Sequence, residues 1–361
     1  MIFIWVLFFL MRKSEVLLFY DENTKIAELL TTIIPKLPVS LNGEPIRDVL
    51  KSVKEKMEEM GFFIRPNFYL GIEYSCCMGT GNISIPFWDT NPTIRKLYLE
   101  AGKSIFSIDE LPAVIWHEIG HAFCYLYKLY RTRPFRRIFN VKGHFFNTYP
   151  SRDYFKKKPW SREYVNLTGD HYAQKHPDDD FAETFATIMV MGRKWRKAYR
   201  FKPVAMMKLE WTENVIKKLK RKPPVVENDP SIKVRPVEEF NIPLYKFLGL
   251  SPRKYIKNAT GYIDPYLIKI FSKNPKKEKL YIPLSEVIKS ERRLLTERIS
   301  KATDVKKEVI SDILKKFSIR GDELGLFVKK RDMEKKMIEL VSLVSALAES
   351  YKNKRDFIIG E

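Results

Sequence analysis

Residues 114–123 read Val114-Ile115-Trp116-His117-Glu118-Ile119-Gly120-His121-Ala122-Phe123. On a helix, side chains four apart share one face, so both imidazoles reach a single ion at about 2.0–2.1 Å. Glu118 lies about 100° round the helix from His117, which sets its carboxylate beside a metal-bound water rather than on the metal. In that geometry the ion lowers the water's pKa towards about 7 and polarises a scissile carbonyl. Glu118 takes the proton and returns it to the leaving amine. The alternative is a surface helix with two unrelated histidines. Its neighbours Val114, Ile115, Trp116, Ile119, Ala122 and Phe123 oppose that, because histidines among buried apolar residues need partners. The spacing predicts a helix that starts near Ser107, where Ser107-Ile108-Asp109-Glu110 fits a capping box, and runs to about Tyr130.

A catalytic zinc site takes three protein ligands and leaves a position open for water. The best source of the third is His176-Pro177-Asp178-Asp179-Asp180-Phe181-Ala182-Glu183-Thr184-Phe185-Ala186, read as a helix from Pro177 to a stop at Gly192. Its three aspartates suit the positive end of the helix dipole, and that accounts for Asp178. Asp179 and Glu183 share one face between apolar residues, and buried carboxylates want a cation. One of the two binds the metal while the other holds a ligand histidine through its remaining N–H.

His171-Tyr172-Ala173-Gln174-Lys175 followed by that helix, with the HExxH helix before it, resembles the gluzincin-like zinc-binding metallopeptidases of bacteria and archaea. The likeness spans about Phe68 to Lys220; Trp195-Arg196 and Lys208-Leu209-Glu210 also fit. More distantly, the spacing is similar to the catalytic domain of the anthrax lethal factor. The resemblance implies His117, His121 and Asp179 as zinc ligands and Glu183 as the residue behind a ligand. It also implies Glu118 as general base and Tyr172 as donor to the oxyanion. These relatives usually carry Glu where this chain has Asp179. Aspartate is one methylene shorter, so the two helices must sit closer, or else Glu183 becomes the ligand. Tyr172 has an ordinary core role as its alternative. His171 is a weaker candidate for the oxyanion, and His144 and His176 read as loop and cap residues.

Outward from these helices, Phe68–Tyr74 and Asn82–Phe87 read as strands, with a hairpin across Cys76-Cys77-Met78-Gly79-Thr80-Gly81. Asn82, Ile83 and Ser84 are then a candidate sheet edge on which an extended peptide substrate adds as a strand. A short strand is expected over Val16–Tyr20 and helices near Arg47–Met60 and Lys202–Lys220. Lys222-Pro223-Pro224 marks a boundary. The expected organisation is an apolar N-terminal segment (1–13), an α+β zincin-like metallopeptidase domain (14–221) and a basic helical region (222–361). In the last, helices are expected over Glu286–Ile299, Asp304–Phe317 and Asp332–Tyr351. The Ser300–Val305 punctuation suits a plain bundle or a helix-turn-helix.

The chain has 361 residues, 45% hydrophobic and 30% charged, enough apolar surface to exclude disorder throughout. Three cysteines do not make a disulfide framework. The net charge is +21, of which residues 221–361, with 31 basic and 20 acidic side chains, hold +11. Lys128 to Arg162 carries 11 basic residues against one acid, Asp153, with aromatics interleaved. That stretch reads as a solvated loop face, a guide for an acidic polypeptide, or a track for a nucleic-acid backbone. Met1–Met11 is wholly apolar and precedes Arg12-Lys13, the reverse of a signal peptide's charge order. It reads as a start placed too early, a membrane-associating segment, or a buried strand, with the cytoplasm as the expected compartment. The functional expectation is a zinc metallopeptidase. The rival is a nucleic-acid-associated basic protein whose metal site is structural or serves a DNA-linked peptidase.

Overall fold

The computed structural model describes residues 22–150, 155–258, 264–273 and 280–354. The expected strand over Val16–Tyr20 and the apolar Met1–Met11 segment lie outside these residues. The chain divides into two compact units. One spans Thr32–Leu250; the other joins helix α1 (Glu22–Thr31) to the described residues from Ser251 onward. Both are helix-rich with one small sheet, an α+β architecture.

In the first unit, α2 (Ile46–Glu59) buries Ile46, Val49, Leu50, Val53 and Met57 at helical spacing. It ends ahead of Gly61, whose φ of +69° suits glycine. Strands β1 (Asn67–Gly71), β2 (Ser75–Cys76) and β3 (Asn82–Pro86) form a sheet in the order β1-β3-β2. β3 runs parallel to β1, Asn67 opposite Asn82, and antiparallel to β2, Cys76 opposite Ile83. The expected hairpin is therefore confined to β2 and β3, and β1 lies on the far side of β3. Gly71 permits this arrangement, since a Cβ there would sit 2.1 Å from Ser84 Oγ.

The candidate peptide edge at Asn82, Ile83 and Ser84 is corrected by the same topology. These residues are buried in the central strand, whose two sides are already paired. Asn82 serves as a tether instead. Its Nδ2 donates to the carbonyls of Asp229 and Ile232, each at 2.8 Å, and its Oδ1 accepts from Asn228 at 3.1 Å.

Helix α3 (Pro92–Glu100) is capped by Asn91. The HExxH helix, α4 (Leu111–Leu126), starts after the predicted capping residues; half of that box forms, the Ser107 N–H donating to Glu110 Oε2 at 2.7 Å. Its last carbonyl, Leu126, accepts from Val225 and Val226. Residues beyond Lys222-Pro223-Pro224 thus finish the helix, and this unit runs on to Leu250. After the short α5 (Arg133–Ile138), α6 (Pro177–Met191) is capped by His176, whose Nδ1 accepts from the Asp178 N–H at 3.1 Å. Helices α7 (Trp195–Tyr199), α8 (Pro203–Leu219) and α9 (Leu244–Leu248) complete the unit. Phe62, Phe123 and Phe185 meet with centroids 5.3–6.3 Å apart, locking α4 and α6 together.

In the second unit α1 packs on α10 (Arg253–Asn258). Helix α11 (Asp264–Ile270) leads to β4 (Ser272–Lys273), which with β5 (Tyr281–Pro283) and β6 (Leu326–Lys329) makes an antiparallel sheet, β6 central. Helices α12 (Leu284–Thr303) and α13 (Lys307–Glu323) pair through a turn at Asp304, φ +58°, and α14 (Met333–Lys354) lies against them. Among the described residues no helix is long and apolar enough to cross a membrane.

Candidate metal centre

Gly120 decides how near α4 and α6 come. A Cβ at this position would stand 2.9 Å from Ala182 Cα and 3.2 Å from Phe185 Cβ, so only glycine lets the two backbones meet here. Ala182 lies between Asp179 and Glu183 in α6, and Gly120 precedes His121 in α4. This close approach therefore falls among the histidine and carboxylate side chains that converge between the helices.

Three of their atoms face one another. His117 Nε2 and His121 Nε2 are 3.0 Å apart, and Asp179 Oδ1 lies 3.8 and 3.6 Å from them. Ligand atoms held tetrahedrally at about 2.0–2.2 Å from one ion are separated by roughly 3.3–3.6 Å. The three sides, 3.0, 3.6 and 3.8 Å, bracket that spacing, and all three residues are buried. The other ring nitrogens are engaged by carboxylates. His117 Nδ1 is 2.8 Å from Glu183 Oε1, and His121 Nδ1 is 2.9 Å from Asp178 Oδ1. Glu183 hydrogen-bonds the His117 ring at Nδ1 and so favours a lone pair on its Nε2, while Asp178 faces His121 Nδ1 as a close ion pair without hydrogen-bond geometry. Two Nε2 atoms 3.0 Å apart need either a proton on one of them or a cation beside both.

The charge of the cluster agrees. Asp178, Asp179, Glu183 and Glu118 are all buried. Among the described residues no lysine or arginine pairs with any of them; Lys208 is committed to Asp180 at 2.6 Å. Asp179 Oδ2 and Glu183 Oε2 have no hydrogen-bond partner among the described residues. Burial disfavours a charged ring, yet Asp178 and Asp179 hold His121 well above its ordinary pKa, and Glu183 raises His117. These surroundings favour positive charge at the rings, whether carried by protons or by an ion.

Glu118 points to the sheet side. Its carboxylate accepts from the backbone N–H of Cys76 in β2, and burial, against the pull of His117 and His121, pushes its pKa up. Tyr172 has its ring 5.6 Å from that of His117. It opens a single 3-10 turn, Tyr172–Gln174, preceded by His171 at φ +63°. Asn166 Oδ1 accepts from the His171 N–H at 2.8 Å and Asp170 Oδ1 from the Tyr172 N–H at 3.0 Å, which fixes that turn.

Asp178 does more than sequence reasoning assigned to it. Besides facing His121 it accepts from the hydroxyls of Tyr125 and of Tyr149, the latter at 2.7 Å. Tyr125 follows His121 by one helical turn, a signal available in the sequence. Tyr149 reaches the site from the basic stretch, stacked at 3.8 Å on the cap residue His176, and no spacing announces it. Comparison of the chain with protein-family models, curated proteins and solved structures finds no match, so the functional argument rests on this geometry.

Proposed function

We propose that the chain is a zinc-dependent metallopeptidase. The observation that carries this reading is the pair of facing Nε2 atoms at 3.0 Å, each on a ring whose Nδ1 faces a carboxylate oxygen at 2.8–2.9 Å. His117, His121 and Asp179 are the residues that would hold the metal. A donor set of two imidazoles and one carboxylate with an open position is that of catalytic zinc rather than of a closed structural site. Zinc bound there would acidify a water molecule and polarise a peptide carbonyl.

The chain's own residues have distinct tasks. Glu118, whose carboxyl burial holds above its ordinary pKa, accepts the proton of the attacking water and delivers it to the leaving amine. The Tyr172 hydroxyl donates to the oxyanion of the tetrahedral intermediate. Glu183 holds the His117 ring in the tautomer that leaves its Nε2 free, and Asp178 faces the His121 ring at Nδ1. The short edge strand β2, next to Glu118, takes the place of Asn82–Ser84 as the line along which an extended peptide is laid.

Purified protein should carry about one zinc per chain by elemental analysis. Glu118→Gln should keep that zinc and lose peptide hydrolysis by about 10²–10⁴-fold. A variant that still cleaves at the parental rate removes Glu118 from the chemistry, and protein that binds no zinc removes the whole reading.

A further inference from the structure

The Tyr172 side of the centre is lined with lysines held in place by the backbone. The Lys158 N–H donates to Gln174 Oε1 at 2.8 Å, and the Lys158 carbonyl accepts from Gln174 Nε2 at 3.0 Å. Phe155 meets the Tyr172 ring edge-on at 6.2 Å. Residues 155–158 are thereby clamped along the turn that carries Tyr172, and so beside His117. Lys156, Lys157 and Lys158 are exposed, and none has a carboxylate partner among the described residues. Lys175 Nζ donates to Tyr172 Oη at 2.7 Å and ties its side chain to the same turn. Besides the buried carboxylates of the centre itself, the acids close in sequence to this rim in the described chain are Glu163 and Asp170, and Asp170 spends one oxygen on the Tyr172 N–H.

We propose that this lysine rim selects acidic polypeptides, reading Asp or Glu side chains a few residues to one side of the bond presented to the metal. The proposal rests on the metallopeptidase reading. Like charges clamped together on one wall raise the local potential, attract an anionic chain and repel a cationic one. A nucleic-acid backbone offers the same charge, but the aromatics of this stretch are poorly placed to stack on bases. Phe135, Phe139 and Phe145 are core residues packed on one another, and Tyr149 stacks on His176. Trp160 is the exposed ring among the described residues of this stretch. Single-strand binding needs a row of them.

Two measurements test this on the full zinc-loaded chain. In the first, a degenerate peptide library is digested and the products are sequenced by mass spectrometry. Asp and Glu should be enriched on one side of the cleaved bonds, and a Glu peptide should exceed its Lys counterpart at least tenfold in kcat/KM. That margin should shrink as salt is raised. The triple substitution K156E/K157E/K158E should abolish the margin while neutral peptides are cleaved at the parental rate. In the second, fluorescein-labelled Glu-rich and Lys-rich decapeptides are titrated into Glu118→Gln, which requires no turnover. The Glu-rich peptide should bind at least tenfold more tightly, and the triple substitution should erase the difference. Equal binding of both peptides overturns the proposal, as does a preference that survives charge reversal. Tighter binding of a labelled oligonucleotide than of the Glu-rich peptide, lost on charge reversal, reassigns the rim to nucleic acid and also overturns it. Selective binding with no cleavage of any peptide defeats the peptidase reading and leaves the acidic ligand standing.

Discussion

Two helix pairs in this molecule are drawn together at a glycine, and they differ in what lies between them. In α4–α6 a Cβ on Gly120 would strike the backbone of Ala182; in α12–α13 a Cβ on Gly321 would meet Leu284, the first residue of α12, at 3.0–3.2 Å through side-chain atoms. The second pair closes over Leu284, Ile288, Ile299, Ile310, Ile313, Leu314 and Phe317, an aliphatic and aromatic seam. The first closes over two histidines and three carboxylates. Aliphatic burial stabilises by about 25 cal/mol per Å² with no further requirement. Buried carboxylates lose stability unless something offsets their charge. The α4–α6 seam is therefore costly by itself and makes sense around a cation, whereas α12–α13 needs nothing added.

The widest separation between the pairs should come from removing metal. Calorimetry of the chain with and without a strong chelator should show the Thr32–Leu250 unit losing about 4 kcal/mol, the linkage expected at 1,000 times the dissociation constant. The transition of the C-terminal unit should not move. Equal shifts in both would erase the contrast.

Next in size are the acids. Asp179→Ala removes a ligand and should deplete zinc more than Asp178→Ala or Glu183→Ala, which release one ring each and should weaken binding by about 10–100-fold. If Glu183→Ala proves the more damaging, the ligand assignment passes to Glu183. Competition with a chromogenic chelator reads all three.

Smallest is the pair of glycine substitutions. Gly120→Ala drives a methyl into backbone and should cost about 1–3 kcal/mol along with zinc affinity. In Gly321→Ala the methyl meets a flexible leucine side chain, and a gain of up to about 1 kcal/mol in helix propensity offsets the crowding, so denaturation midpoints should scarcely change. In the Gly120→Ala background Asp179→Glu, one methylene longer, should recover part of the zinc affinity.

The helices were legible in the sequence because their apolar residues recur at helical spacing and their ends carry proline and glycine. The reading of α2 and α6 lies within a residue or two of the structure. The HExxH helix was legible in its chemistry but in neither end: Ser107 and Glu110 close a turn of their own before Leu111, and the helix stops at Leu126, short of the expected Tyr130, with Lys128 at φ +51° turning the chain. The sheet was misread for a reason of period: Phe68–Tyr74 and Asn82–Phe87 look like neighbours joined by glycines. Nothing local tells a parallel pair with an inserted two-residue strand from a hairpin. Asp178 was hidden behind a sufficient explanation, its place at the start of a helix. The partners that reveal its other task, Tyr149 and His121, come together only in three dimensions.

The tether at Asn82 bears on how this protein is handled. A shortened chain ending at Arg221 would strip away Asp229 and Ile232, whose carbonyls take both hydrogens of the Asn82 amide, and the Val225 and Val226 amides that close Leu126. Bare polar atoms would then be stranded in the middle of the sheet and at the foot of α4, a recipe for aggregation. The fragment that folds should extend to Leu250.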